Sequence, residues 1–269
     1  MIRTAVIMAR GLGTRMRRAD ADAALSATQS AAAESGVKGM IPIRRPFLEY
    51  VVSALADAGI TDVMLVIGPE HEGMRRHFVE EAPPVRTRIR FAVQAEPIGT
   101  ANAVTSAADV IGEEPFLVLN ADNYYPVEAF RLLAAEATAG VVAFDRDVLV
   151  RAGNIDAERV RAFAVLEVGD DGYLHGIVEK PGDTLDLGSE AARWVGMNLW
   201  AVTPAIVNAC RWVPRSVRGE YELPEAVAMA VRAGVPVRAV RLAAPVLDLS
   251  HRGDIAAVAA RLQDIEPRP

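Results

Sequence analysis

The run Thr4-Ala5-Val6-Ile7-Met8-Ala9-Arg10-Gly11-Leu12-Gly13-Thr14-Arg15-Met16 decides the fold. Its first half reads as a strand buried on both faces, and that strand runs straight into a basic loop bearing two glycines. Gly11 and Gly13 let the backbone turn tightly and bring its N–H groups against a ligand. Thr14 adds a hydroxyl, and Arg10, Arg15, Arg17 and Arg18 add charge. A loop of this composition suits a polyphosphate.

What the loop lacks narrows the chemistry. The dinucleotide fingerprint wants a third glycine where Met16 stands, and an acid about 20 residues further on, where the chain reads Ala31-Ala32-Ala33. The P-loop pattern fails as well, because Lys38 is followed by Gly39 and Met40 rather than by a Ser or Thr that could hold magnesium. A nucleotide loop of another kind remains.

Outward from the loop, strand-like runs at Thr4–Met8, Asp62–Ile67, Ile89–Val93, Phe116–Asn120 and Val141–Phe144 alternate with helical stretches at Phe47–Ala58, Glu70–Glu80, Thr100–Val110 and Val127–Ala137. The alternation predicts βαβ units and a largely parallel sheet. Such sheets bind ligands at the carboxyl ends of their strands, where Arg10–Arg15, Gly68-Pro69, Gln94–Gly99 and Asn120–Asn123 all fall. From Arg161 the texture changes. Ala162–Val168 and Tyr173–Glu179, joined by Gly169-Asp170-Asp171-Gly172, read as an antiparallel hairpin that could fold over the ligand edge. A strand at Val195–Val202, helices at Pro204–Trp212 and Glu222–Arg232, a strand at Pro236–Leu242 and a helix at Asp254–Gln263 complete the pattern. The Ala- and Ser-rich segment Ala19–Ser35 is either a lid over the loop or a short surface helix.

With 269 residues, 51% hydrophobic and 24% charged, the chain can bury the core of a single large α/β domain. A net charge of −6 argues against a general nucleic-acid binder, so the arginines must act locally. The lone Cys210 cannot form an internal disulfide, and Val207-Asn208-Ala209 beside it predicts a buried helix face. No apolar run approaches membrane-spanning or signal-sequence length, so a reduced, cytoplasmic setting without membrane partners is expected.

The blocks Ala9-x-Gly11-x-Gly13-Thr14-Arg15-Met16, Lys38-x-Met40-x-Pro42-Ile43 and Pro46-Phe47-Leu48-x-Tyr50 resemble the opening signature of the sugar-1-phosphate nucleotidyltransferases. Gln94-x-Glu96-Pro97-x-Gly99-Thr100-Ala101, Leu119-x-Ala121-Asp122, Val178-Glu179-Lys180-Pro181 and Leu247-Asp248-Leu249 follow in the family's order. The resemblance implies a Rossmann-like, mostly parallel sheet flanked by helices with a small antiparallel sugar-binding insert. It implies one nucleotidyltransferase domain over 1–269, with a nucleotide part to about 145 and a sugar-phosphate part after it, and no room for an added acyltransferase domain.

The implied reaction is attack by a sugar-1-phosphate oxygen on the α-phosphorus of a nucleoside triphosphate, with release of pyrophosphate. By resemblance, Ala9, Gly11, Leu12, Gly13 and Thr14 bind the nucleotide, and Arg15 and Lys38 lie on the triphosphate. Gln94 and Gly99 read the base, and Thr100 is expected to cap the helix it opens. Asp122 ends an apolar strand, where a carboxylate is costly unless compensated, and with Asp248 it is expected to hold Mg²⁺.

On the acceptor side, Glu179 matches a binder of sugar hydroxyls, Lys180 a neutraliser of the sugar's phosphate, and Asn123 and Glu220 further contacts. Glu220 is preferred over Glu222, which reads as a helix opener. Three positions depart from the family. Asn198 stands where many relatives have glycine, and its amide could reach an acceptor hydroxyl. Asp248 continues into Ser250-His251-Arg252 rather than a Gly-Thr-Pro type turn. Arg10 replaces a frequent alanine and reads as a contact to base or phosphates, or as a substitute cation. Arg44-Arg45 and Arg75-Arg76 read as solvated faces or as contacts in a homo-oligomer. The acceptor can be a sugar-1-phosphate or a cyclitol phosphate. Two rivals stay open: a phosphorylated alcohol such as phosphocholine as acceptor, and a non-catalytic nucleotide-sugar-binding subunit.

Overall fold

The computed structural model describes residues 1–269 apart from 21, 22, 24, 137, 180, 183–185 and 187. Its strands are β1 (Thr4–Met8), β2 (Asp62–Ile67), β3 (Arg88–Val93), β4 (Phe116–Asn120), β5 (Asn123–Tyr124), β6 (Ala139–Asp145), β7 (Ala164–Val168), β8 (Leu174–Val178), β9 (Trp194–Val202), β10 (Val237–Leu242) and β11 (Leu247–Asp248). The main sheet has the order β10-β6-β9-β4-β1-β2-β3. β1 is central to its nucleotide half, with Ile7 level with Leu65 on one side and Leu119 on the other, both pairings parallel. β9 alone runs antiparallel to both of its neighbours in that order, β4 and β6. The result is the mixed, mostly parallel sheet that the alternating sequence predicts.

The helices are α1 (Thr14–Arg17), α2 (Ala27–Ser35), α3 (Phe47–Asp57), α4 (Glu72–Arg76), α5 (Thr100–Ile111), α6 (Val127–Ala135), α7 (Arg146–Ala152), α8 (Pro204–Trp212), α9 (Leu223–Arg232) and α10 (Asp254–Leu262). Successive strand residues point to opposite faces, so Ile7, Leu65 and Leu119 pack with α3, α6 and α10, while Val6, Met64 and Val118 pack with α5, α8 and α9. Cys210 lies buried on α8, and burial pushes its thiol up to about 12, so it stays protonated. No helix among the described residues is long and apolar enough to cross a membrane.

Three features depart from the sequence pattern. The stretch expected as one helix over Glu70–Glu80 is a turn at Gly68–His71, then α4, then a wider turn at His77–Glu81, because Pro69 and the Gly68 carbonyl, bonded by His71 N–H, delay the helix start. α7 is additional, opened by the Asp145 carboxylate, which accepts from the N–H groups of Asp147 and Val148. Within Ala19–Ser35, the described part forms α2, whose Ser26 and Gln29 make a reciprocal capping box.

The hairpin expected after Arg161 forms as β7 and β8 and hangs from β9 through Ala164–Gly196 and Val165–Val195. Where β9 passes the carboxyl end of β4 it bulges: Met197, Asn198 and Leu199 together oppose Val142 between two regular stretches of pairing. Asn198 sits at the bulge with φ 55°, the one non-glycine left-handed residue among those described. Asparagine tolerates that region better than most side chains, as glycine does, which explains how Asn198 fits where the resemblance leads one to expect glycine.

Candidate active site

The loop after β1 is shaped by two glycines with different tasks. Gly13 has φ 60°, and a Cβ there would stand 2.2 Å from the carbonyl oxygen of Gly36, the residue that ends α2. The phosphate-type loop is therefore packed backbone to backbone against α2. Gly11 faces open space, with nothing within 4 Å of a Cβ built on it. Ala9 is buried, while Leu12, Thr14 and Arg15 are exposed, and all of them border one cavity of about 570 Å³.

Lys38 and Asp122 meet at the floor of this cavity, Nζ to Oδ2 2.7 Å. Asp248 reaches the same place through a ladder too short for any periodicity to announce: β11 pairs antiparallel with β5, setting Asp248 opposite Asn123, and the Leu249 N–H bonds to the Asp122 carbonyl at 2.8 Å. The Asp248 carboxylate is buried and held from several sides. Asn123 Nδ2 donates to Oδ1 at 2.9 Å, Ser250 Oγ donates to the same oxygen at 3.1 Å, and Arg159 pairs with Oδ2. Arg159 also bonds Asp254 Oδ1 at 2.6 Å, and Asn154 clamps the Asp248 backbone N–H and C=O at 2.8 and 2.7 Å. Burial first, and the Asp122 charge second, push the Asp248 carboxyl up to about 6, against the pull of Arg159.

No group of three or more metal-ligating side chains occurs among the described residues. Asp122 and Asp248 nevertheless fit a divalent cation, since two carboxylates on adjacent backbone segments line one cavity and the charge of Asp122 adds to the cost of ionising Asp248. A hard cation completed by phosphate oxygens would relieve that cost.

At the β3 end of the cavity, Gln94 Nε2 donates to the Gly99 carbonyl at 2.9 Å and to Asn102 Oδ1 at 3.0 Å. Gly99 has φ 119°, and a Cβ there would lie 2.3 Å from the Tyr221 carbonyl oxygen. That close approach corrects one expectation: Thr100 does not cap its own helix. Its Oγ1 instead accepts the Leu223 N–H at 2.8 Å and so caps the start of α9, stitching the base loop to the segment from Glu220.

The cavity is also lined by Glu179, Asn198, Glu220 and Glu222, and the segment from Glu220 lies beside Gly99 and Thr100. Asn198 Oδ1 accepts from Trp200 Nε1 at 3.3 Å, and Asn123 has given its amide donor to Asp248. Burial, then the charge of Glu222, raise the Glu179 carboxyl to about 7, with Arg218 opposing. Glu222 both opens α9 and is buried against Arg218, Oε1 to Nε 3.1 Å, so it belongs to the cavity lining as well as to the helix. Lys180 lies outside the described residues.

Sequence reading brought Ala9 through Arg15, Lys38, Gln94, Gly99, Thr100, Asp122, Asn123, Glu179, Asn198, Glu220 and Asp248 forward, and the fold gathers them around the one cavity. It missed Arg159 and Asn154, which lie on the connector before β7, Arg159 in a single 3-10 turn at Glu158–Ala162, and carry no motif, and it undervalued Glu222, which pairs with Arg218 from the turn ahead of α9. Arg44 and Arg45 pair with Glu266, and Arg75 lies over the Phe91 ring at 4.6 Å, so these arginines have partners within the chain. A cavity with cations at one strand end, two carboxylates beside them and further polar lining has the chemistry to neutralise charge on phosphate groups.

The family model for nucleotidyl transferases matches residues 4–242. The chain is 28% identical over 262 residues to the UTP–glucose-1-phosphate uridylyltransferase AglF of Haloferax volcanii, covering 97% of this chain and 96% of that protein. It is 29% identical over 242 residues to the glucose-1-phosphate thymidylyltransferase of Streptomyces griseus, covering 87% of this chain and 59% of the relative. In fold it is similar to a UDP-glucose pyrophosphorylase complexed with UDP-glucose, with TM-score 0.76, 17% identity and 99% and 100% of the two chains covered. The UDP-glucose pyrophosphorylase of Acinetobacter baumanii gives 0.74 at 20% identity, covering 99% and 96%. By the match over residues 4–242, the chain belongs to the nucleotidyl transferase family.

Proposed function

We propose that the protein transfers a nucleoside monophosphate from a nucleoside triphosphate to a sugar-1-phosphate or a cyclitol phosphate, giving a nucleoside-diphosphate derivative and pyrophosphate with Mg²⁺ assistance. The observation that carries this reading is the meeting of Lys38, Asp122 and Asp248 at the end of the central strands, in a cavity also lined by the polar set Glu179, Asn198 and Glu222.

The acceptor's phosphate oxygen attacks the α-phosphorus, a new P–O bond forms, and the bond to the β-phosphate oxygen breaks, with its electron pair leaving on pyrophosphate. The attacking group is already an anion, so no protein base is needed. Lys38 and Arg15 hold the triphosphate and offset the charge that grows on the leaving pyrophosphate. Asp122 and Asp248 are the residues that would hold Mg²⁺, which would supply further neutralisation at phosphate oxygens. Glu179 and Asn198 orient the acceptor's hydroxyls, and Lys180 is assigned to the acceptor phosphate from its place in the Val178–Pro181 block. In this reading residues 1–145 serve the nucleotide and 146–269 the acceptor within one domain, in a cytoplasmic setting that suits the single reduced cysteine.

Pyrophosphate release, assayed with Mg²⁺ across the common nucleoside triphosphates and a panel of sugar-1-phosphates and cyclitol phosphates, tests it. Release that needs one triphosphate and one acceptor together supports the reading. Silence across the matrix with nucleotide still bound would overturn it in favour of a binding subunit.

A further inference from the structure

Arg10, the departure from the family's loop, is not directed at the triphosphate end. Its side chain is only 8% exposed, and its guanidinium grips Glu70 in a fork, Nε to Oε1 3.2 Å and Nη2 to Oε2 3.3 Å, while Nη1 donates to the backbone carbonyl of Gln94. Glu70 sits in the Gly68–His71 turn after β2, and Gln94 follows β3, so Arg10 is drawn toward the β2–β3 edge of the sheet. Lys38 is drawn the other way, to Asp122 after β4. The Glu70 carboxylate also offsets the Arg10 charge, which suits contact with a neutral group better than with a phosphate.

The hydrogen-bond inventory then becomes specific. A guanidinium carries five N–H donors. Three are accounted for by Glu70 and the Gln94 carbonyl, leaving one on each terminal nitrogen without a protein acceptor among the described residues. The Gln94 side chain is fixed in the opposite sense. Its Nε2 faces the Gly99 carbonyl, which can only accept, so the amide cannot be turned round without losing that bond, and Oε1 is left as an acceptor with no protein donor among the described residues. Arg10 and Gln94 both line the cavity, and they are joined directly by the Nη1 contact. Two donors on Arg10 and one acceptor on Gln94, all free among the described residues, thus belong to directly joined residues that line the same cavity.

Resting on the nucleotidyltransferase reading above, we propose that Arg10 and Gln94 together select a nucleobase whose edge carries a ring N–H beside a carbonyl. Gln94 Oε1 accepts the ring N–H, and Arg10 donates to the carbonyl. Uracil and thymine present that pair at N3–H and O4, and guanine at N1–H and O6. Adenine and cytosine present the reverse, a ring-nitrogen acceptor beside an amino group, and would set acceptor against acceptor and donor against donor.

The test is calorimetric binding of UTP, dTTP, GTP, ATP and CTP, and of inorganic tripolyphosphate, to the full chain and to Arg10→Ala and Arg10→Lys, with no acceptor sugar present. The proposal expects the wild type to prefer at least one of UTP, dTTP and GTP over both ATP and CTP by about tenfold or more. It expects Arg10→Ala to bring the five within about threefold while tripolyphosphate binding stays unchanged. Arg10→Lys, which keeps the charge opposite Glu70 but not the fork, is expected to fold like the wild type and still lose the preference. A wild type that binds all five alike would overturn the assignment, and so would a parallel loss of tripolyphosphate binding in Arg10→Ala or a full rescue by lysine. A wild type that binds no nucleotide at all would instead overturn the nucleotidyltransferase reading on which the assignment rests.

Discussion

Lys38 and Asp122, 84 positions apart, form an ion pair of 2.7 Å across the floor of the cavity, with their side chains 14% and 22% exposed. The pair is a resting arrangement, because the proposed reaction asks Lys38 to meet the triphosphate and Asp122 to meet a divalent cation. Lys38→Met should lower kcat/KM by roughly a hundredfold or more, since a cation aimed at developing phosphate charge is lost. Partial solvent access limits the stability cost to about 1–2 kcal/mol. Steady-state kinetics beside thermal melts checks this: a large activity loss with a small melting shift is expected, and the converse would make the pair structural.

Arg159 answers two buried carboxylates, Asp248 and Asp254, at once. Arg159→Ala leaves both uncompensated in a poorly solvated place, which should cost roughly 3–5 kcal/mol and lower Tm by on the order of 10 °C. Combining Arg159→Met with Asp254→Asn removes one of the orphaned charges and should recover part of the loss. Thermal denaturation of the single and double variants measures both, and no recovery would mean that Arg159 acts mainly through packing.

Glu179 predicts a pH dependence of stability with a definite sign. Its folded-state pKa, about 7, lies above the ordinary 4.5, so the folded protein holds a proton there that the unfolded chain gives up. Stability from this group is therefore fullest below pH 4.5 and is lost as pH rises through 7. Glu179→Gln escapes that loss and should be more stable than the wild type at pH 8.5, by roughly 1–3 kcal/mol, with the gap closing toward pH 5. Melting curves of the two proteins at both pH values decide it, and a constant difference would rule out Glu179 as the origin.

Gly11 and Gly13 should respond differently to the same substitution. Gly13→Ala forces a Cβ into the Gly36 backbone at a left-handed position, so it should destabilise the fold and loosen the loop. Gly11→Ala meets open space in the apo protein and should leave Tm nearly unchanged while weakening nucleotide binding, because the added methyl intrudes where the ligand comes closest. Melting and nucleotide titration of both variants separate the two effects.

The strands β1, β2 and β4 were legible to the residue because they are apolar runs bounded by polar or glycine-bearing loops, and burial on both faces leaves no other reading. The common edge of the loops followed from the alternation alone. What could not be read was set by contacts between distant, irregular segments. The pairing of Asp248 with Asp122 was expected from the family resemblance alone, since the two-residue ladder with Asn123 that makes it is shorter than any periodic signal. Arg159 and Asn154 reach Asp248 from a connector whose own sequence marks nothing. Thr100 has the residue type of a helix cap, but the close approach of Tyr221 to Gly99 gives it to a different helix.

The central claim, transfer of a nucleotidyl group at this cavity, is tested most directly by phosphorus NMR of the protein with Mg²⁺, a nucleoside triphosphate and members of the sugar-1-phosphate and cyclitol-phosphate panel. The account predicts that a nucleoside-diphosphate derivative and pyrophosphate appear in equal amounts, and that Asp122→Asn abolishes both while still binding nucleotide. Bound triphosphate that stays intact with every acceptor, or that yields only hydrolysis products, would contradict it.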